Sequence, residues 1–377
     1  MGLVMMRKLI ALLLVFGVLL FIYGNSFEEA GFRGVYEEMR EDIVEIRNHP
    51  FVDTALASVR EGIAQLSGKI SDTLNDNASD ETPIENITLV EPVEQPFSIH
   101  NIELGDSRTN VEAVLGEPQR STLNEYGVDW VSYHDNYRNF VMVAYNDHRV
   151  CGLYTNQNLL SSTLGITFDS RRDDVLQAMS EEPLVAIRKG FIQYGIENNG
   201  EFDLFELENS YVTFFYDLNR SSQVTAVLWI DKEMEDMKKD YFAEPSQALR
   251  EGFEYQLFDL TNAERVKHEL NILAWEESAR ETVRAHSRDM AENNYFSHTN
   301  LAGQSPFDRL AEDAIAYSIA GENLATGQSS AIFAHEGLMN SVGHRENKLR
   351  EDYEKLTVGV AFNRNSQPFF TENYLAD

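Results

Sequence analysis

Apolar residues run without a charged interruption from Leu9 to Tyr23, LIALLLVFGVLLFIY, directly behind Arg7 and Lys8. The run lies between the core of a secretion signal and a full membrane span, and the apolar Met1–Met6 segment lengthens it. Neither an A-x-A-like cleavage site nor a lipid-attachment cysteine follows, so the pattern predicts a retained membrane helix over residues 1–26, with secretion as the alternative. Basic residues before the run and Glu28 and Glu29 after it place the rest of the chain outside the cytoplasm. A helical period then sets in, with Val35, Met39, Ile43 and Ile46 before Pro50, and Leu56, Val59, Ile63 and Leu66 after it. This predicts a helical stalk over 27–70. Periodicity disappears in 71–98, which is rich in Asp, Glu, Asn, Ser, Thr and Pro and reads as an acidic flexible linker.

Between 99 and 240 the chain echoes itself. LGDSRTNVEAVLGEP (104–118) and TFDSRRDDVLQAMSEEP (167–183) share Asp-Ser-Arg, a following Val and a closing Glu-Pro. In each, Asp-Ser stands at an N-cap position before a short helix, with Val111, Val114 and Leu115 or Val175, Leu176 and Met179 along one face. Each copy leads to β-branched and aromatic runs, 140–156 and 211–231, joined by turns containing Asn or Asp, the pattern of hairpins. This is a duplicated α+β domain. Its Trp130, Tyr133, Tyr137 and Trp229 stand at strand spacing and are expected in the core rather than along a ligand groove.

A third region, 258–377, shows helical stripes and then strands. Thr261 and Glu264 have capping-box spacing, and Ala279, Thr282, Val283, His286 and Met290 share one helical face, so His286 is expected to point inward. Short helices carrying Leu310 and then Ile332, Glu336 and Met339 follow. KLTVGVAF and PFFTENYL, joined by a polar turn, predict a closing hairpin.

The charge balance, 31 basic against 62 acidic residues and a net charge of -31, argues against a nucleic-acid partner, since phosphates would be repelled. A single cysteine, Cys151, rules out an intramolecular disulfide and a Cys-rich metal site.

Five of the nine histidines lie in the last third of the chain. HELNI and HEGLM begin like a zinc-binding H-E-x-x-H helix but end in Ile272 and Met339. No G-x-S-x-G turn or phosphate-binding Gly-Lys loop is present. What remains is His298, Glu322 and His344, each in a polar turn bounding an element. Two imidazoles and a carboxylate can hold a divalent ion such as Zn²⁺, or act as acid and base around a water; spacing alone does not choose between these and plain hydrogen bonding.

The segments around the trio, YFSHTN, AGENLATG and MNSVGHRENKL, resemble the signature segments of the CAP (SCP) superfamily of cysteine-rich secretory proteins, antigen 5 and pathogenesis-related proteins, in its disulfide-free bacterial branch. The stretch before them resembles the CAP-associated domain of membrane-anchored proteins in spore-forming and related Gram-positive bacteria. The resemblance implies an α-β-α sandwich in the C-terminal domain and a cleft where His298, Glu322 and His344 meet, lined also by Asn323 and Ser341. In a binding cleft His298 and His344 would hold a divalent metal; in a hydrolase Glu322 would be the general base. The second glutamate of the family's tetrad would fall near Ser341, whereas Glu336 stands more than a turn earlier, and Leu338 replaces a usual Trp. The expected function is a membrane-anchored, extracytoplasmic protein binding a cell-envelope lipid, wall polymer or envelope protein. A hydrolase of peptide or peptidoglycan bonds and a protein-interaction module are the alternatives.

Overall fold

The computed structural model describes residues 87–377. The predicted anchor, the stalk and most of the predicted linker lie outside the described residues. Among the described residues no helix is long and apolar enough to cross a membrane. Residues 88–98, expected as the end of the linker, are instead fastened down. Val93 and Glu94 donate their backbone N–H groups to the Glu103 carboxylate at 3.1 and 3.2 Å, and Asn101 bonds Val90 and Thr88. Strand β1 (Phe97–Ile99) then pairs with β6 (Leu160–Ser162). Composition predicted disorder here because the partners that satisfy this backbone come later in the chain.

The first half is built on an antiparallel sheet of seven strands in the order β2-β3-β4-β5-β11-β10-β9. They are β2 (Arg120–Leu123), β3 (Asp129–Asp135), β4 (Arg138–Asn146), β5 (Arg149–Thr155), β9 (Phe202–Glu206), β10 (Ser210–Asp217) and β11 (Gln223–Asp231). Tight turns join β3 to β4 at Asn136 and Tyr137, and β4 to β5 at Asp147 and His148, all with positive φ. Such turns match the twist of the strands they link. A short hairpin of β7 (Ala186–Lys189) and β8 (Ile192–Gly195) stands apart from the sheet.

The duplication is visible in hydrogen bonds. At helix α1 (Arg108–Leu115), Arg108 N donates to His148 O and Val150 N to Asp106 O, both at 2.9 Å. At helix α2 (Arg172–Ala178), Arg172 N donates to Ser222 O and Val224 N to Ser170 O, again at 2.9 Å. Ser107 therefore corresponds to Arg171, one residue later than the shared Asp-Ser-Arg suggests. Ser107 caps α1 with its hydroxyl, but at α2 the N-cap is Arg171, whose N–H is held by Asp174 at 2.8 Å. Val111 and Val175 set the register, each wholly buried on its helix.

The strands read as unbroken hydrophobic runs because the sheet is covered on both faces. Val131, Tyr133, Val141, Val143, Leu153, Val212, Phe214, Val227 and Trp229 pack toward α1, α2 and β1. Their neighbours in alternation, Trp130, Met142, Tyr154, Phe215, Ala226 and Leu228, pack into the C-terminal half. Trp130, Tyr133, Tyr137 and Trp229 are thus core residues, as their spacing predicted.

Helix α3 (Lys232–Met237) leads to α4 (Gln247–Lys267), a long helix between the halves. Its N-cap is Ser246, whose hydroxyl accepts from Leu249 N. Thr261 and Glu264 are not a capping box but buried mid-helix residues. Their spacing resembles a cap because this stretch is polar, and it is polar because both halves bond to it. Asp259 receives Arg120 at 2.9 Å and the Tyr137 hydroxyl at 3.0 Å, Glu264 receives Asn156 at 3.1 Å, and Arg265 donates to the carbonyls of Lys348 and Arg350. Buried polar groups with such partners tie the helix in one register.

Beyond α4 come β12 (Ala274–Trp275), α5 (Arg280–Asn293), α6 (Pro306–Glu312), β13 (Ile319–Thr326), α7 (Ala331–Asn340), α8 (Val342–Lys348), β14 (Lys355–Phe362) and β15 (Pro368–Ala376). The strands form a four-stranded sheet in the order β12-β14-β15-β13, and β14 and β15 make the predicted hairpin. Leu356, Val358, Val360, Phe370 and Tyr374 pack toward α4 and α7, while Leu324, Phe369 and Leu375 pack toward α5 and α6. This is an α-β-α sandwich.

Where the halves meet, Glu125 is buried with its Oε2 unpartnered, and burial pushes its carboxyl up to about 7 against the opposing charge of Lys238. A carboxyl whose folded pKa is raised contributes stability below its unfolded pKa and loses it as pH rises through the folded value. Urea denaturation of the Glu125→Gln variant is therefore expected to show a smaller loss of stability between pH 5 and pH 8 than the wild type. Parallel losses would reject this assignment.

Candidate functional site

Helix α5 ends at Asn294, which takes the left-handed conformation that asparagine tolerates, and the chain turns into the loop bearing His298. Two buried side chains fix that loop. His286, on the inward face of α5 as expected, makes a hydrogen bond through Nε2 to the Ser297 carbonyl at 3.0 Å. Arg309 on α6 donates to the carbonyls of His298 at 2.8 Å and Gln304 at 3.1 Å. Helix α6 starts sharply where Arg309 is needed, because Ser305 and Asp308 form a capping box around Pro306 at the first helical position.

Glu322 lies on strand β13, not in a turn as AGENLATG suggested. Gly321 beside it lets the Tyr353 hydroxyl pack against the strand where a Cβ would overlap it. The buried carboxylate is fully engaged: Oε1 meets His298 Nδ1 at 2.9 Å and Oε2 accepts from Arg309 Nη2 at 2.6 Å. Arg309 is buried with it, while the His298 side chain is 52% exposed. The imidazole is held through one nitrogen and free to meet a ligand through the other.

His344 sits in the first turn of α8, again not in a free turn. Its ring is half-buried; burial, and the neighbouring His298 and Lys348, push its pKa down despite the opposing Glu372. It is therefore neutral at neutral pH and able to accept a proton or ligate an ion. Its backbone is anchored by Asn323, whose amide donates to the His344 carbonyl at 3.0 Å and to Glu372 at 3.2 Å. Asn347 donates to Asn323 Oδ1 at 2.9 Å and to the Glu322 carbonyl at 3.3 Å. Beneath them Lys348 and Glu372 form a wholly buried ion pair at 2.6 Å, completed by Thr261 and by the Tyr374 hydroxyl.

Of the three residues expected in one cleft, His298 and Glu322 are joined by a hydrogen bond, and His344 lies near enough to His298 to feel its charge. Asn323, expected among the cleft residues as a brace for the turns rather than a chemical group, is wholly buried and holds the His344 carbonyl. Ser341 is exposed where α7 passes into α8. Glu336 points elsewhere: it is buried and accepts from the Tyr154 hydroxyl at 2.7 Å. Sequence reasoning missed Arg309, Asn347, Lys348 and Glu372. A single signal was present, since Arg309 and Lys348 are charged residues at positions where their helices turn inward.

Among the described residues no three His, Cys, Asp or Glu side chains converge as a metal-holding cluster. Glu322, spent on His298 and Arg309, is not available as a metal ligand. What the site offers an ion is two imidazoles, with the carboxylate behind one of them, the arrangement that orients metal-bound histidines.

Residues 258–374 match the cysteine-rich secretory protein family (CAP), and residues 104–241 match the CAP-associated N-terminal family, so a CAP-associated domain precedes a CAP domain in this chain. It is 27% identical over 291 residues to the uncharacterized membrane protein YlbC of Bacillus subtilis (strain 168), covering 72% of this chain and 82% of that one. The uncharacterized protein YkwD of the same strain is 40% identical over 108 residues, 29% of this chain and 42% of that one. A crystal structure of an extracellular protein containing a SCP domain from Bacillus anthracis str. Ames superposes with a TM-score of 0.62 at 25% identity, covering 80% of this chain and 99% of that one. A cysteine-rich secretory protein from Staphylococcus aureus subsp. aureus Mu50 shares the fold, with a TM-score of 0.58 at 16% identity over 76% of this chain and 95% of that one.

Proposed function

We propose that the chain is a membrane-anchored, extracytoplasmic protein of a Gram-positive bacterium whose His298, Glu322 and His344 cleft binds a cell-envelope lipid or wall polymer. The observation that carries this reading is the commitment of both Glu322 oxygens to His298 and Arg309. A carboxylate so engaged is a poor general base, but it fixes an imidazole for recognition. Phe296, Leu301 and Val342, close in sequence to the two histidines, are exposed and would offer apolar contact beside the polar centre. The charge-free run near the N-terminus and the relative called a membrane protein support anchoring, and the neighbour described as extracellular supports the compartment.

His298, through Nε2, and His344 would hold a divalent ion such as Zn²⁺, which would polarise a ligand oxygen when bound. A second reading, hydrolysis of peptide or peptidoglycan bonds, is favoured by the same Glu322-oriented imidazole. Under it Arg309 and Glu322 keep His298 in one orientation, and His344, being neutral, accepts a proton from water.

The test combines His298→Ala with His344→Ala in the full chain. Affinity for isolated envelope fractions is expected to fall at least about tenfold, the loss of roughly two polar contacts. Calorimetric titration with Zn²⁺ should lose its binding event in the same variant. Unchanged envelope binding removes the cleft from the function, and turnover of purified wall fragments that is lost in the double variant would replace binding by hydrolysis.

A further inference from the structure

Helix α7 separates two polar sites. Glu336 faces away from the cleft, toward the CAP-associated half, where a cavity of about 400 Å³ opens between the seven-stranded sheet and α7. Its walls include Phe202, Tyr211 and Phe215 from the sheet, Tyr126, and Phe333 of α7. The Phe333 ring meets those of Phe202 and Phe215 edge-on, each with a centroid separation of 5.1 Å. The hairpin of β7 and β8 adds Ile187 and Tyr194 to its walls.

Glu336 lines this cavity and is only 4% exposed. Three carboxylates near it have cations: Glu235 has Lys189 at 2.6 Å, Glu264 has Lys267 at 3.3 Å and Asp217 has Arg345 at 2.9 Å. Glu336 has none within ion-pairing distance among the described residues; its recorded partner is the neutral Tyr154 hydroxyl. Burial, with help from Glu264 nearby, pushes its carboxyl up to about 7 against the Tyr154 hydrogen bond and the more distant charge of Lys267. Lys238 also lines the cavity, but it shares Glu235, at 3.7 Å, with Lys189 and lies over the Tyr126 ring at 5.0 Å.

A buried carboxylate without a cation is costly, and the cost disappears when a ligand supplies one. Aromatic faces attract an organic ammonium group, and the volume is that of a small-molecule site. We propose that this cavity is a second ligand site, which binds a small organic ammonium compound with an aromatic or aliphatic body and uses Glu336 as its counter-ion. The inference stands apart from the cleft and from what the cleft binds.

The full-length protein would be titrated calorimetrically with phenethylamine and with 2-phenylethanol, its uncharged counterpart. The amine is expected to bind at least about tenfold more tightly, in line with an ion pair plus ring contact out of water. In Glu336→Gln, which keeps the shape and an acceptor for Tyr154, that preference should shrink to within about twofold. Gly337→Met serves as the location control. A Cβ at Gly337 would meet only Gln328 Nε2, at 3.7 Å, so the longer side chain can enter the cavity from an intact helix and should exclude both compounds while the melting temperature is retained. Equal binding of the two compounds, no binding of the amine, a preference that survives Glu336→Gln, or wild-type binding by a folded Gly337→Met protein would each overturn the proposal.

Discussion

Replacing Lys348 by methionine is expected to cost about 3–5 kcal/mol of unfolding free energy, the usual result of leaving one member of a buried ion pair without the other. Lys348 and Glu372 are both wholly buried at 2.6 Å, and no solvent is near to take up the carboxylate that remains. The Tyr374 hydroxyl and the Asn323 amide would still donate to Glu372, which keeps the loss within that range. Asn323 also holds the His344 carbonyl, so the strain reaches the cleft as well as the core. The double variant Lys348→Met with Glu372→Gln removes both charges and should recover at least half of the loss. Urea unfolding of wild type, single and double variants checks this. A single variant within about 1 kcal/mol of the wild type, no more than an ordinary surface change, would show that the pair carries little.

Gly252→Ala should destabilise the protein by about 2–3 kcal/mol, although alanine in a helix interior normally gains up to about 1 kcal/mol over glycine. The sign is reversed by one contact. A Cβ at Gly252 would overlap the Leu123 carbonyl oxygen of β2 and lie 3.1 Å from its carbon. Backbone on both sides leaves no side chain to rotate out of the way. Either α4 or β2 must move, and the same movement loosens the bond from Gln256 to the Leu123 carbonyl at 3.0 Å and the ion pair of Arg120 with Asp259 at 2.9 Å. Because α4 joins the CAP domain to the CAP-associated domain, the loss should appear as a lower melting temperature of the whole described unit. A rise in melting temperature would show that the halves approach less closely than this contact requires.

These two sites show where reading the sequence stops. Runs of β-branched and aromatic residues identified the longer strands, and turn residues such as Asp147 and His148 marked a hairpin. His286 was legible as an inward residue from its helical spacing alone. The three signature segments pointed to His298, Glu322 and His344 and suggested a turn for each, but only His298 lies outside a helix or strand. Glu322 is on a strand and His344 on a helix because β13 pairs with β15, and α8 is bonded to both through Asn323 and Lys348. Those partners lie tens of residues away, and no local pattern encodes them. The same holds for Arg309, whose carboxylate partner is on another element, and for Thr261 and Glu264, where polar spacing was mistaken for a helix start.

The sequence by itself determined most of the longer elements, the internal echo and the two domain matches, since each is a matter of local period, turn chemistry or motif order. Only the tertiary structure decided which faces of those elements meet. A strand apolar on both sides states that both faces are buried but not against what. Here one face of the seven-stranded sheet covers its own helices and the other joins α4 and α7 in a shared core. That choice turns Glu336 away from the cleft and into the cavity between the halves. It also commits Glu322 to Arg309 and His298, because a buried carboxylate is stabilised by whatever partners the fold brings near.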